Sequence, residues 1–148
     1  SRVVNIEKCN FRYFEPSQVD EEVDFMSMDV SFISLKLIFP VAAKLLRDGG
    51  SILCLVKPQF EAGREQVGKN GIVRDTKVHE EVIEKVISYA QENDLIAKNL
   101  TFSPITGAKG NIEYLLHLNK QKNIGYNKSY TDSFNVSEVV QISHAELV

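Results

Sequence analysis

Three charged residues stand where a chain of alternating strands and helices can do chemistry. Asp29 closes an apolar run in Met28-Asp29-Val30-Ser31-Phe32. Lys57 closes another in Val56-Lys57-Pro58-Gln59-Phe60-Glu61, and Glu113 opens a third in Gly110-Asn111-Ile112-Glu113-Tyr114. Open α/β sheets bind their ligands outside the carboxyl ends of the parallel strands. If the strand after Glu113 runs antiparallel, its start lies at that same edge, and all three side chains can converge there. A lysine ending an apolar strand is costly to bury unless it is paired. Beside carboxylates and screened from water, such an amine can take the proton of a hydroxyl, or hold an oxygen on which charge develops. Each residue alone has a simpler reading: a strand-end Asp caps a loop, and a lone Lys lays its stem along the surface. The three together, each on a strand terminus, point to a site.

The elements that would position them follow from apolar spacing. Residues 3–7, with Val3, Val4 and Ile6, read as a first strand, and residues 23–30 as a second that ends at Asp29. Residues 35–46 carry helical spacing in Leu35, Ile38, Val41, Ala42 and Leu45, with Pro40 inside. That proline predicts either irregular first turns or a helix that begins near it. Gly49-Gly50 predicts the stop. Residues 51–57 form a nearly unbroken apolar run, which predicts a strand buried on both faces.

Residues 60–74 read as a long loop with Gly63, Gly68 and Gly71. Asp75 or Thr76 then caps a helix with Val78, Val82, Ile83, Val86, Ile87 and Ala90 on one face. Residues 95–102 and 112–118 read as strands, and the turn at 106–111 makes them an antiparallel pair. Residues 120–134 are polar, and Asn135-Val136-Ser137-Glu138 opens a terminal helix through about Leu147. This alternation predicts an α/β class with a mainly parallel sheet and an antiparallel last strand.

Composition narrows the classes. The chain has 148 residues, 43% hydrophobic and 25% charged. That suits one globular domain and excludes collagen-like and wholly disordered chains. The net charge of −3 argues against a stand-alone nucleic-acid binder, which needs a basic surface. No apolar run approaches the roughly 20 residues that span a bilayer, and the first ten residues lack the apolar stretch of a signal peptide. Cys9 and Cys54 sit in apolar, strand-like stretches and are expected as buried, reduced thiols of a cytoplasmic protein. His79, His117 and His144 are scattered, and no metal site is expected.

Four segments carry a resemblance. They are the runs from Asp29 to Leu35, from Val56 to Glu61, Gly68-Lys69-Asn70-Gly71-Ile72-Val73-Arg74-Asp75, and Gly107-Ala108-Lys109-Gly110-Asn111-Ile112-Glu113. Together they closely resemble the TlyA family, whose members are known as hemolysin A or as ribosomal RNA 2′-O-methyltransferases. The resemblance runs from about Arg2 to Asn119 and returns in the terminal helix. It implies a Rossmann-like, S-adenosylmethionine-dependent methyltransferase sheet of the FtsJ kind. Residues 1–119 would supply the C-terminal portion of that domain, and residues 120–148 a polar linker and terminal helix.

The resemblance also implies a Lys-Asp-Lys-Glu tetrad, in which Asp29, Lys57 and Glu113 match the Asp, the second Lys and the Glu. The family's first Lys, its glycine-rich S-adenosylmethionine loop and its S4-like RNA-binding domain fall before Ser1 in that pattern, which puts the activity of this chain by itself in question. Asn10, Phe11 and Asp29 fall at the cofactor. The implied reaction is methylation of a ribose 2′-hydroxyl in ribosomal RNA or a ribosomal subunit, with Lys57 as base and Asp29 and Glu113 orienting it. Transfer from a sulfonium is an in-line displacement governed by positioning and needs no metal.

Two other readings stand beside it. One is a membrane-active hemolysin, disfavoured because no segment spans a bilayer and the terminal helix has no basic face. The other is a non-catalytic RNA- or cofactor-binding module, disfavoured because Asp29, Lys57 and Glu113 are all retained. Lys69, Arg74 and Lys109 are candidates for phosphate contact as much as for solvated loop positions. The rings of Phe11, Tyr13 and Phe14 suit core packing better than base stacking.

Overall fold

A computed structural model describes residues 2–122 and 134–148. Strand β1 (Val23–Met28) leads through helix α1 (Leu35–Leu45) to β2 (Leu46–Val56). A short helix α2 (Pro58–Glu61) and single turns at Arg64–Gln66 and Lys69–Gly71 precede α3 (Thr76–Gln91). Strands β3 (Leu95–Phe102) and β4 (Tyr114–Lys120) follow, and α4 (Val136–Leu147) comes last. The sheet order is β1-β2-β4-β3. β1 and β2 are parallel, and β4 is antiparallel to both β2 and β3. Three strands therefore point one way, and β4 is inserted between two of them against the grain. The expected α/β class with one reversed last strand is what forms.

One face of the sheet carries Met28, Ile52, Cys54, Leu116 and Leu118, all buried in one core with Ile38, Phe39 and Ala42 of α1 and Ile83, Val86 and Ile87 of α3. The α3 positions are those its apolar spacing predicts, and Asp75 caps it by accepting from the Lys77 N–H at 2.9 Å. α4 adds Val136 and Val140 to the same core. On the other face Phe25 and Leu53 are 58% and 38% exposed. The apolar run at 51–57 is therefore buried on one face only: apolar composition licenses two-sided burial, but only one layer of helices lies over this strand.

Four other expectations change. Residues 3–7 form no strand, and Val3 and Val4 are 75% and 82% exposed. β-branched residues favour an extended backbone, but a strand exists only where a neighbour pairs with it. Gly49-Gly50 does not stop α1. The helix ends at Leu45, and the glycines lie inside β2, where two steps of β1 (Val23 to Phe25) span five of β2 (Leu46 to Ser51). Gly49, at φ +82°, makes that bulge. The strand expected at 112–118 runs from Tyr114 to Lys120, and Lys120 is buried rather than part of a polar linker. Of that linker, residues 123–133 lie outside the described residues. Cys9 is exposed, while Cys54 is buried and its thiol is pushed up to about 12 by burial and by nearby Glu61.

Pro40 sits inside a continuous α1, at a cost of about 3 kcal/mol for an interior proline. The helix start is anchored from two sides. The Ser34 hydroxyl accepts from the Lys36 N–H at 3.1 Å. The Glu61 carboxylate accepts from the Leu35 N–H at 2.8 Å and from the Ser34 hydroxyl at 2.7 Å. Burial raises the Glu61 carboxyl above its usual range, and these two bonds oppose the rise.

The histidines are not all scattered. His79, fully buried on α3, and His144 of α4 meet with His144 Nε2 3.1 Å from His79 Nδ1. His79 Nε2 donates to the Val73 carbonyl at 2.8 Å, so in the neutral ring Nδ1 accepts, and the Tyr114 hydroxyl lies 2.8 Å from it. Burial lowers both imidazoles and pushes the Tyr114 phenol up to about 12. A folded imidazole held below its unfolded value of 6.5 stabilises the fold fully above that pH, and the contribution is lost as pH falls below it. Chemical denaturation at about pH 7.5 and about pH 5.5 should therefore show a loss of stability on acidification. A His79→Gln variant should show a smaller loss, because the opposing contribution of Glu61 is common to both proteins. Equal losses in the two proteins would refute this coupling.

Candidate active site

The site is built at the carboxyl ends of β1 and β2. Asp29 follows the last residue of β1, and Lys57 follows the last residue of β2 and caps α2. Lys57 Nζ makes an ion pair with Asp29 Oδ1 and donates to the Ser31 hydroxyl at 3.1 Å. The Lys57 side chain is 11% exposed, whereas that of Asp29 is 66% exposed. The stem is thus packed, and the ammonium is delivered to a carboxylate that faces solvent.

Glu113 arrives from the other direction. Val56 pairs with Tyr114, so the next antiparallel register position places Glu113 opposite Lys57. Glu113 is buried and accepts a hydrogen bond from Gln59 Nε2 at 2.9 Å. Asp29 and Lys57 are brought into direct contact; Glu113 takes the register position opposite Lys57 without an ion pair to it. The carboxylate of Glu113 is bonded to Gln59, a partner that periodicity does not single out.

The loops around this edge are tied together by Asn111, which is 2% exposed. Its Oδ1 accepts from the Val73 N–H, and its Nδ2 donates to the carbonyls of Gly71 and Ala108, at 2.9 to 3.0 Å. The segment read as a long loop is therefore held against the turn before β4. Arg74 and Lys109, with His144, line an open cleft beside it, and Lys109 occupies a turn at φ +59°. Phe32 has φ +63°, is 89% exposed, and leans its ring on Phe60 at 4.8 Å. A bulky residue in that backbone region is uncommon, and nothing in the spacing of the sequence marks it.

Asn10 and Phe11 stand apart in a short turn (Phe11–Tyr13) that packs on α1. The Asn10 side chain caps this turn by accepting from the Arg12 N–H at 3.1 Å, and the Phe11 ring stacks on Phe14 at 5.9 Å. Tyr13 is 68% exposed, with Arg12 over its ring. Phe11 thus packs partly against the core, as expected, and Tyr13 does not.

A mixed α/β sheet with a Lys-Asp pair at the carboxyl ends of its parallel strands, and a buried Glu from the reversed strand beside them, defines a Rossmann-like protein with a polar site on its ligand-binding edge. The FtsJ-like methyltransferase model matches residues 1–120, and the chain belongs to that family. YqxC of Bacillus subtilis (strain 168) is 56% identical over 118 residues, covering 79% of this chain and 42% of that protein. The 16S/23S rRNA (cytidine-2'-O)-methyltransferase TlyA of Mycobacterium tuberculosis (strain H37Rv) is 38% identical over 120 residues, covering 81% of this chain and 45% of that protein. A solved structure of a hemolysin-labelled protein from Streptococcus thermophilus superposes with a TM-score of 0.85 at 51% identity, over 94% of this chain and 49% of that one. The resemblance drawn from the four sequence segments therefore holds over most of the chain. The chain spans about half the length of these relatives, or less.

Proposed function

We propose that the protein, in its full length, methylates a ribose 2′-hydroxyl of ribosomal RNA in the cytoplasm, with S-adenosylmethionine as donor. The observation that carries this reading is the Lys57–Asp29 ion pair on a packed lysine stem, with Glu113 at the next register position. S-adenosylmethionine, when bound, supplies an electrophilic methyl group. A 2′-hydroxyl is a weak nucleophile, and Lys57 takes its proton or holds its oxygen as charge develops. Asp29 fixes the ammonium through the ion pair, and Glu113 orients it from the opposite strand. Asn10, Phe11 and Asp29 are assigned to the cofactor. Phe11 suits that role as a flat, half-buried ring in a turn packed on α1, and the Asn10 cap holds that turn. The residues 1–119 form the catalytic portion in this reading, and residues 120–148 the appended linker and helix.

The relatives named for rRNA methylation support the substrate class. The net charge of −3 assigns most of the RNA affinity to other parts of the full-length protein. Among the described residues no helix is long and apolar enough to cross a membrane. The test is transfer of labelled methyl from S-adenosylmethionine to ribosomal subunits, followed by nucleoside digestion. The expected product is a 2′-O-methylated nucleoside. Base methylation, or no transfer together with leakage of liposomes, would overturn this function in favour of another.

A further inference from the structure

Glu113 sits in a slot with two walls. One wall is the Gln59 amide, whose Nε2 donates to Glu113 Oε2 at 2.9 Å. The other is the bare backbone of Gly107: a Cβ there would stand 2.1 Å from Oε2 and 2.4 Å from Cδ of Glu113. Gly107 has φ −81°, a conformation any residue adopts, so the backbone does not call for glycine at this position; the carboxylate does. The Gln59 side chain carries a matching signature. Its Oε1 is buried with no hydrogen-bond partner among the described residues. An apolar side chain of similar shape would avoid that orphaned carbonyl, whose burial costs about 1–3 kcal/mol. The amide therefore serves the one bond it makes, to Glu113.

Resting on the function proposed above, we propose that Gln59 and Gly107 are positioning residues that hold the carboxylate of Glu113, the residue at the register position opposite Lys57. Gln59 lies two residues beyond Lys57, on α2, so one segment carries both the amine and the clamp on its neighbour. Gly107 belongs to the turn that Asn111 staples through Ala108, which holds the second wall in place. A Cβ at Gly107 stands too close to the Glu113 carboxylate for both to stay in place, and misplacement of a catalytic group by about 1 Å costs up to about 100-fold in rate.

The experiment measures methyl transfer by the full-length protein. Gln59→Leu and Gly107→Ala should each lower kcat by about 10- to 100-fold, with KM changed less than about threefold. In a Glu113→Ala background neither should cost more than about another twofold, because both act through the carboxylate. Gln59→Glu supplies a second signature. Its carboxyl can donate to Glu113 only while the pair shares a proton, so its activity should fall as pH rises through the pair's titration, where the wild type does not. Full multiplicative losses in the Glu113→Ala background overturn the inference, as do single variants with wild-type kcat beside an impaired Glu113→Ala. A fully active Glu113→Ala overturns the assignment of Glu113 itself, and a wild type without methyl transfer overturns the function on which the inference rests.

Discussion

Replacing Lys57 by methionine in the full-length protein should lower methyl transfer by about 10²- to 10⁴-fold, the range that a positioned proton-transfer group contributes, and leave the fold intact. The two halves of this expectation come from different parts of one side chain. The Lys57 stem is packed, with the side chain 11% exposed, and methionine keeps most of that volume. The ammonium is what the substitution removes. Its partner Asp29 is 66% exposed, so water solvates the carboxylate left behind, and the stability penalty of an unpaired buried charge does not arise. Activity should collapse while the denaturation midpoint stays within about 1 kcal/mol of the wild type. Ribosomal RNA methylated normally by Lys57→Met would sink the assignment. A variant that loses activity only because it unfolds would show itself in the midpoint.

The largest effect on stability is expected at Lys120. This lysine ends β4 with 8% exposure, and its ammonium donates to the carbonyls of Ala43 at 2.5 Å and Leu46 at 2.7 Å, with Asp48 at 3.8 Å. The Ala43 carbonyl lies in the last turn of α1, where helix carbonyls lack intrahelical donors and the dipole favours a cation, and the Leu46 carbonyl belongs to the residue that follows the helix. Lys120→Met removes both donors from a site that water reaches poorly. The expected cost is about 2–4 kcal/mol, from the loss of two charge-assisted hydrogen bonds at a buried site. Lys122, 59% exposed and 3.7 Å from the same Asp48, is the internal contrast: an exposed pair contributes about 0–1 kcal/mol. Urea denaturation of Lys120→Met and Lys122→Met compares the two directly. Equal and small losses would show that Lys120 is not the cap of α1.

Several features were legible because they rest on local chemistry. The apolar stripe of α3 and the side-chain oxygen of Asp75 at its start need only the spacing of one helix. The reversal of β4 follows from a glycine-containing turn between two strands of similar length. Asp29 and Lys57 were legible as a pair because each ends an apolar strand, and parallel strands deliver their ends to one edge. Other features were not, because their cause lies far along the chain. Pro40 lies inside a helix whose start is held by Glu61, a partner 26 residues away from Leu35. Residues 3–7 have the composition of a strand and take no place in the four-stranded sheet. The part-buried bond between His79 and His144 joins residues 65 apart, and no spacing rule relates them.

What the sequence by itself determined is the class of chain: an α/β sheet with a lysine and a carboxylate at its ligand-binding edge, bearing the family's motifs. Strand type, helix faces and strand ends are encoded in patterns of a few residues, so they can be read locally. What only the tertiary structure decided is who holds whom. Glu113 faces Gln59 and Gly107, Lys120 closes α1, and Asn111 ties the long segment before α3 to the turn before β4. These contacts join distant segments whose meeting depends on the packing of the whole sheet, and a hydrogen bond a few ångströms long has no signature in the spacing of residues along a chain.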